Sequence, residues 1–322
     1  MRRREFIALF GGTTIAWPLA VQAQRLAVPV IGFLRAGQPP KTWVEAFQQG
    51  LQERGYTVGQ NVIVEFRFTD GGLDQLPRLA EELLLLKVHL IVASGTSAAI
   101  AARKATTAVP IVFASVTHPV EIGLVASLAR PGGNITGMAF NSADFAGKRL
   151  ELLRGCVPAL KRVAALSYPA LPTDQVQLEG ATKAARALGM QIESVPIAGP
   201  DDFTSAFKAV RNADGLLCLD SPFFTTYRTR IAESVAASRL PAIYGYREMV
   251  VAGGLMSYGP QIADFHRLAA THVDKILKGA NPAELPVEQP TKFELVINSR
   301  AAKALSVTIP PLLLAQTDDV IE

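Results

Sequence analysis

Residues 89–115 read HLIVASGTSAAIAARKATTAVPIVFAS. An apolar run at 90–93 stops at Ser94-Gly95-Thr96-Ser97, an alanine-rich stretch follows, and a second apolar run begins at Pro110. Short apolar runs bounded by turn residues read as buried strands, and the alanine-rich stretch between them reads as a helix. A strand, a helix and a second strand of this length form a crossover unit, which joins parallel neighbours in a sheet.

The same alternation extends in both directions. Upstream, VPVIGFL (28–34) is a strand, KTWVEAFQQGLQERG (41–55) a helix closed by Gly55, NVIVEFRF (61–68) a strand and LDQLPRLAEELLLLK (73–87) a helix. Downstream, VEIGLVASLA (120–129) reads as a helix and ARPGGN as its turn. The pattern then restarts. FAGKRLELLRGC, QVQLEGATKAARALG, DDFTSAFKAVRN and YRTRIAESVAAS are helices, and RVAALSY, QIESVPI, GLLCLD and LPAIYG are strands between them. The strand GGLMSYG, the long helix QIADFHRLAATHVDKILKG, the extended connector PAELPVEQP and the strand KFELVIN follow. The fold class is α/β, with two Rossmann-like lobes built on parallel sheets and a ligand cleft between them. Residues 24–138 plus 252–284 are assigned to lobe 1, and 139–251 plus 285–322 to lobe 2.

Of the 322 residues 49% are hydrophobic and 19% charged, enough for large cores. The formal charge is +4, but Arg2, Arg3 and Arg4, offset by Glu5, crowd the first residues, and without 1–23 it is +2. With no basic block elsewhere, a nucleic-acid partner is not expected. MRRREF is basic, IALFGGTTIAWPLA apolar and VQA small, the three parts of a signal peptide cut after Ala23. Its Arg3-Arg4-Glu5-Phe6-Ile7 resembles a twin-arginine signal, and the expected location is the periplasm. Cys156 and Cys218 are expected as two separate buried thiols.

Ligands of open parallel sheets bind beyond the carboxyl ends of the strands. In lobe 1 those ends carry Arg35, Ser94, Thr96, Ser97, Ser115, Thr117 and His118; in lobe 2 they carry Tyr168, Asp220, Ser221, Phe223, Tyr246 and Arg247. Ser97 follows Gly95 but has Ala99 where a G-x-S-x-G nucleophile elbow needs its second glycine, and neither G-x-x-x-x-G-K-[ST] nor G-x-G-x-x-G occurs. No cofactor is expected, and the four histidines, His89, His118, His266 and His272, have no metal-ligand spacing. For Thr96 and Ser97 two readings stand: helix caps, or, with the orphan amides of the first turn, a seat for a carboxylate. Asp220 is placed to take an ammonium. His266 and His272, six residues apart on a helix, read as surface or packing residues.

The strings AFQQGLQERGYTVGQNVIVEFRF, PIVFASVTHPVEIGLVASLARPGGNITG, KRLELLRGCVPALKRVAAL, LPAIYGYREMVVAGGLMSYGP and ILKGANPAELPVEQPTKFELVINSRAAKAL resemble, in this order, ABC-transporter substrate-binding proteins of the tryptophan/tyrosine transport type. The resemblance spans essentially all of 24–322. It implies a type I periplasmic-binding-protein fold, three interlobe crossings, a small-molecule solute, delivery to an ABC permease and no catalysis. Two positions depart from the family pattern: His118 precedes Pro119-Val120 where members often carry aspartate, and Ser221 precedes Pro222-Phe223-Phe224 where they often carry an acid. The expected solute therefore bears a carboxylate, as an aromatic or other amino acid or as an amine-free aromatic or organic acid. A monomer suits hinge closure. The rival is an exported hydrolase or oxidoreductase on the same fold.

Overall fold

The computed structural model describes residues 28–322 apart from 71 and 290. The leader assigned to 1–23 lies outside the described residues. Lobe 1 runs β1 (Val30–Arg35), α1 (Lys41–Gln52), β2 (Ile63–Phe68), α2 (Leu76–Leu85), β3 (Leu90–Ser94), α3 (Thr96–Ala105), β4 (Ile111–Thr117) and β5 (Ile135–Phe140). The five strands form one parallel sheet in the order β2-β1-β3-β4-β5. No helix forms over 120–129. There Ile122 N–H reaches His118 O, Leu124 and Val125 N–H both reach Pro119 O, and Gly123 turns at φ +67°, a set of turns that no helical ladder matches.

Lobe 2 runs α4 (Ala146–Cys156), β6 (Arg162–Ser167), α5 (Asp174–Ala187), β7 (Gln191–Pro196), α6 (Phe203–Ala209), β8 (Gly215–Cys218), α7 (Pro222–Thr226), α8 (Arg228–Ala237), β9 (Ala242–Tyr244), α9 (Arg247–Val251) and β10 (Met256–Pro260). After α10 (Ile262–Leu277) it is completed by β11 (Phe293–Asn298), α11 (Ser299–Leu305), α12 (Pro311–Ala315) and β12 (Asp319–Ile321). The seven-stranded sheet has the order β12-β11-β10-β9-β8-β6-β7, and only the β10–β11 pair is antiparallel. The sequence reading sent the whole of 252–284 to lobe 1. Instead β10 lies between β9 and β11 in the second sheet, because its ladder partners are there, and only α10 returns to pack on α1, β3, β4 and β5.

The chain thus crosses between lobes after β5, after β10 and before β11. The last crossing is tied to lobe 1 by a bridge between Met138 and Glu288 and by the Thr136 hydroxyl donating to Leu285 O at 2.6 Å. Trp43, Phe47 and Leu51 of α1 meet Phe265, Ala269 and Val273 of α10 in one buried cluster. The close approach needs Gly50, where a Cβ would stand 2.2 Å from Arg267 O. Cys156 and Cys218 are free and buried, and burial pushes both thiols up. Among the described residues no helix is long and apolar enough to cross a membrane.

Candidate functional site

The carboxyl ends of the two sheets face each other across the cleft, where the lobes leave a cavity of about 20 Å³. That is room for about one water, so a larger solute enters only when the lobes part. Lobe 1 lines it with Arg35, Trp43, Gly95, Thr96, Ser115 and Thr117, and lobe 2 with Leu171, Asp220, Pro222, Thr225 and Tyr246. The lobes touch around this space. The hydroxyls of Thr96, Thr117 and Thr173 form a chain with 3.1 Å at each step, and its last step crosses the cleft. Trp43 Nε1 donates to Glu248 Oε1 at 2.5 Å, also across it.

Arg35 is the last residue of β1 and only 1% exposed. It pairs in register with Ser94, the last residue of β3, and its Nη1 donates to Ser94 Oγ at 3.2 Å. The Trp43 ring lies 4.6 Å from the guanidinium carbon, a cation–π contact. Nε and Nη2, which form the other edge of the fork, have no partner among the described residues. Burial lowers its pKa to about 10, so the group stays charged at neutral pH. An unpaired buried cation is costly, and a bidentate carboxylate is the partner whose geometry matches that edge.

Lobe 2 presents a buried carboxylate. Asp220 follows β8, and Gln177 grips its backbone: Asp220 N–H donates to Gln177 Oε1 at 2.8 Å and Gln177 Nε2 donates to Asp220 O at 3.0 Å. Arg149 of α4 donates from Nη2 to Asp220 Oδ2 at 3.1 Å and from Nε to Tyr258 O at 2.8 Å. Asp220 Oδ1 has no partner among the described residues. Burial raises the Asp220 pKa, and Arg149 pulls it back. Only glycine fits at 245, since a Cβ there would lie 1.7 Å from Asp220 Oδ1 and 2.5 Å from Arg149 Nη2.

The structure places the other sequence candidates individually. Neither Thr96 nor Ser97 caps α3. Its N-cap is Gly95 at φ +92°, and a Cβ there would sit 3.3 Å from Pro222 Cγ, so glycine lets β3 approach α7 across the cleft. Thr96 Oγ1 instead accepts from Thr117 N–H at 3.1 Å. Ser97 Oγ is buried without a partner among the described residues and does not line the cavity. Ser115 reaches the cavity because the β4–β5 register shifts between Phe113 and Val116, leaving Ser115 at φ +57°. His118 lies outside the lining. Its Nε2 meets Ser142 Oγ at 3.3 Å on the first crossing, and burial lowers its pKa.

In lobe 2, Ser221 Oγ caps α7 by accepting from Phe223 N–H at 3.1 Å. This start turns Pro222 and Thr225, three residues apart, toward the cavity and sends Phe223 behind them. There Phe223 stacks on Tyr168 at 4.6 Å, so both are core packing and not cleft lining. Arg247 is a further correction: it does not line this cavity and pairs with Glu294 and Asp319, because α9 carries Glu248, not Arg247, toward Trp43. Trp43, Gly95, Leu171, Pro222 and Thr225 were not among the expected site residues. The signal for Trp43 was its place in the first turn of the helix after β1, at the cleft end of the lobe.

Two Rossmann-like lobes closed on a polar cavity are the architecture of a type I periplasmic binding protein. The chain belongs to the ABC transporter substrate binding protein family, whose sequence pattern matches residues 30–321. It is 26% identical over 265 residues, 82% of this chain and 76% of the relative, to a tyrosine-binding protein of Clostridioides difficile (strain R20291). An ABC domain from Streptococcus pneumoniae in complex with L-Trp superposes with a TM-score of 0.85 at 26% identity, covering 91% of this chain and 99% of that one. The ligand-free, open structure of a substrate-binding protein with adhesive properties from Clostridium difficile gives a TM-score of 0.66 at 23% identity, with the same coverage of 91% and 99%.

Proposed function

We propose that the chain is the exported solute receptor of an ABC importer, working as a monomer in the periplasm after loss of 1–23, and that its solute is a small carboxylate-bearing molecule. The observation that carries this reading is the unpaired edge of Arg35, a buried cation lining the cavity whose two nitrogens Nε and Nη2 have no partner among the described residues. The solute's carboxylate lies on that edge, near the N-terminal amides of α3. Asp220 Oδ1 accepts from an ammonium where the solute has one. Relatives with tyrosine and tryptophan as named ligands make aromatic amino acids the first compounds to try, beside their amine-free counterparts. Binding closes the lobes over the three crossings, and the closed form meets the permease.

Titration calorimetry on residues 24–322 with L-tyrosine, 4-hydroxyphenylpropanoate and tyramine tests the reading. Binding of either carboxylate, lost in Arg35→Met, supports it. Binding of tyramine alone, or carboxylate binding that survives Arg35→Met, overturns it.

A further inference from the structure

We infer that His266 is a positioning residue that, through Ser94, holds the Arg35 guanidinium with its Nε/Nη2 edge turned to the cavity. The inference rests on the solute-receptor reading above and adds the part that orients its cation. His266 sits in α10 and is fully buried. Its Nδ1 lies 2.9 Å from Ile262 O, and its Nε2 lies 2.8 Å from Ser94 Oγ.

The proton positions follow from what each atom can do. A carbonyl oxygen only accepts, so Nδ1 carries the proton. A neutral imidazole has one N–H, so Nε2 is bare and the Ser94 hydroxyl donates to it. That turns the Ser94 lone pairs toward Arg35 Nη1, which donates at 3.2 Å. The order is fixed: Arg35 to Ser94, Ser94 to His266, His266 to the first residue of α10. A protonated ring would donate to Ser94, turn its hydroxyl proton toward the guanidinium and place a second cation beside it. Burial, with Arg35 nearby, keeps the ring neutral. The ring plane is also held, stacked near-parallel on Trp43 at 5.2 Å and on Phe33 at 6.1 Å. Among the described residues Arg35 has a single hydrogen-bonded anchor, and without it the long side chain regains rotamer freedom.

The test separates orientation from mere packing. In His266→Gln the amide oxygen can still accept from Ser94, whereas His266→Leu fills space and accepts nothing. Against L-tyrosine, His266→Leu should weaken binding by about tenfold or more and His266→Gln by about threefold or less. Tyramine, which has no carboxylate, should bind both variants as it binds the parent. Equal losses in the two variants, or an equal loss for tyramine, make His266 a packing residue and overturn the inference while leaving the receptor reading in place. Survival of L-tyrosine binding in Arg35→Met sinks the receptor reading instead. A long-range 1H–15N spectrum of the imidazoles in the ligand-free protein decides His266 in either case. The expected state is Nδ1–H with bare Nε2, perturbed at Nε2 by Ser94→Ala. An Nε2–H tautomer overturns the inference.

Discussion

The two buried arginines of the cleft, Arg35 in lobe 1 and Arg149 in lobe 2, make opposite use of the same side chain. Arg149 is engaged on Nε and Nη2, by Tyr258 O and by the carboxylate of Asp220. Among the described residues Arg35 is engaged on Nη1 alone, by a neutral hydroxyl, and Nε and Nη2 have no partner. Arg149 belongs to the fold, since its counter-charge is part of the chain. Arg35 has no hydrogen-bonded counter-charge among the described residues, and in the proposed reading the solute supplies it. Burial does not separate the two, because both are nearly inaccessible; the count of used N–H groups does.

The largest effect should come from breaking the complete pair. Arg149→Met leaves Asp220 buried without its cation and should cost about 3–5 kcal/mol in denaturant titrations. Arg35→Met should do the reverse: unliganded stability stays within about 1 kcal/mol of the parent, while carboxylate affinity measured by calorimetry falls by about 2–3 kcal/mol. If Arg35→Met destabilises as much as Arg149→Met, the contrast between the two fails.

Acid should also act on the Arg35 side. The pKa of His266 is lowered by burial from 6.5 to about 3, so the folded state binds fewer protons than the unfolded one. Its contribution is full above the unfolded pKa and is lost as pH falls below 6.5, down to about 3. Between pH 7 and pH 5 the parent should lose about 2 kcal/mol more stability than His266→Gln. His118 and His272, also lowered by burial, remain in both proteins and cancel in the difference. The smallest effect is expected at the rim. Trp43→Phe removes the bond to Glu248 across the cleft and should shift closure by about 1 kcal/mol, read as a larger radius of gyration in solution scattering.

The alternation of apolar runs was enough to read two α/β lobes, because strand and helix periods are local properties of the chain. The failures had both local and long-range origins. VEIGLVASLA has a helix-like composition, yet Pro119 and Gly123 wind it into turns. GGLMSYG carries no mark of the sheet it joins, which only its ladder partners decide. At the site, strand ends pointed to Arg35, Ser115, Thr117 and Asp220. The helical phase of α7, which brings Pro222 and Thr225 forward and puts Phe223 behind, depends on the cap at Ser221. His266 was legible only as a surface or packing residue, since its partner Ser94 lies 172 residues away in sequence.

Trp43 has a consequence for observation. The chain has two tryptophans, Trp17 and Trp43, and residues 24–322 keep only the second. That single indole stands over the Arg35 guanidinium, donates to a carboxylate of the opposite lobe and borders the cavity. Its emission is therefore a report from one known place, free of background from any other tryptophan. A solute that enters changes the field at the ring, and a lobe that opens exposes it to water, so the intensity and the wavelength of one fluorophore follow occupancy and closure in an unlabelled protein.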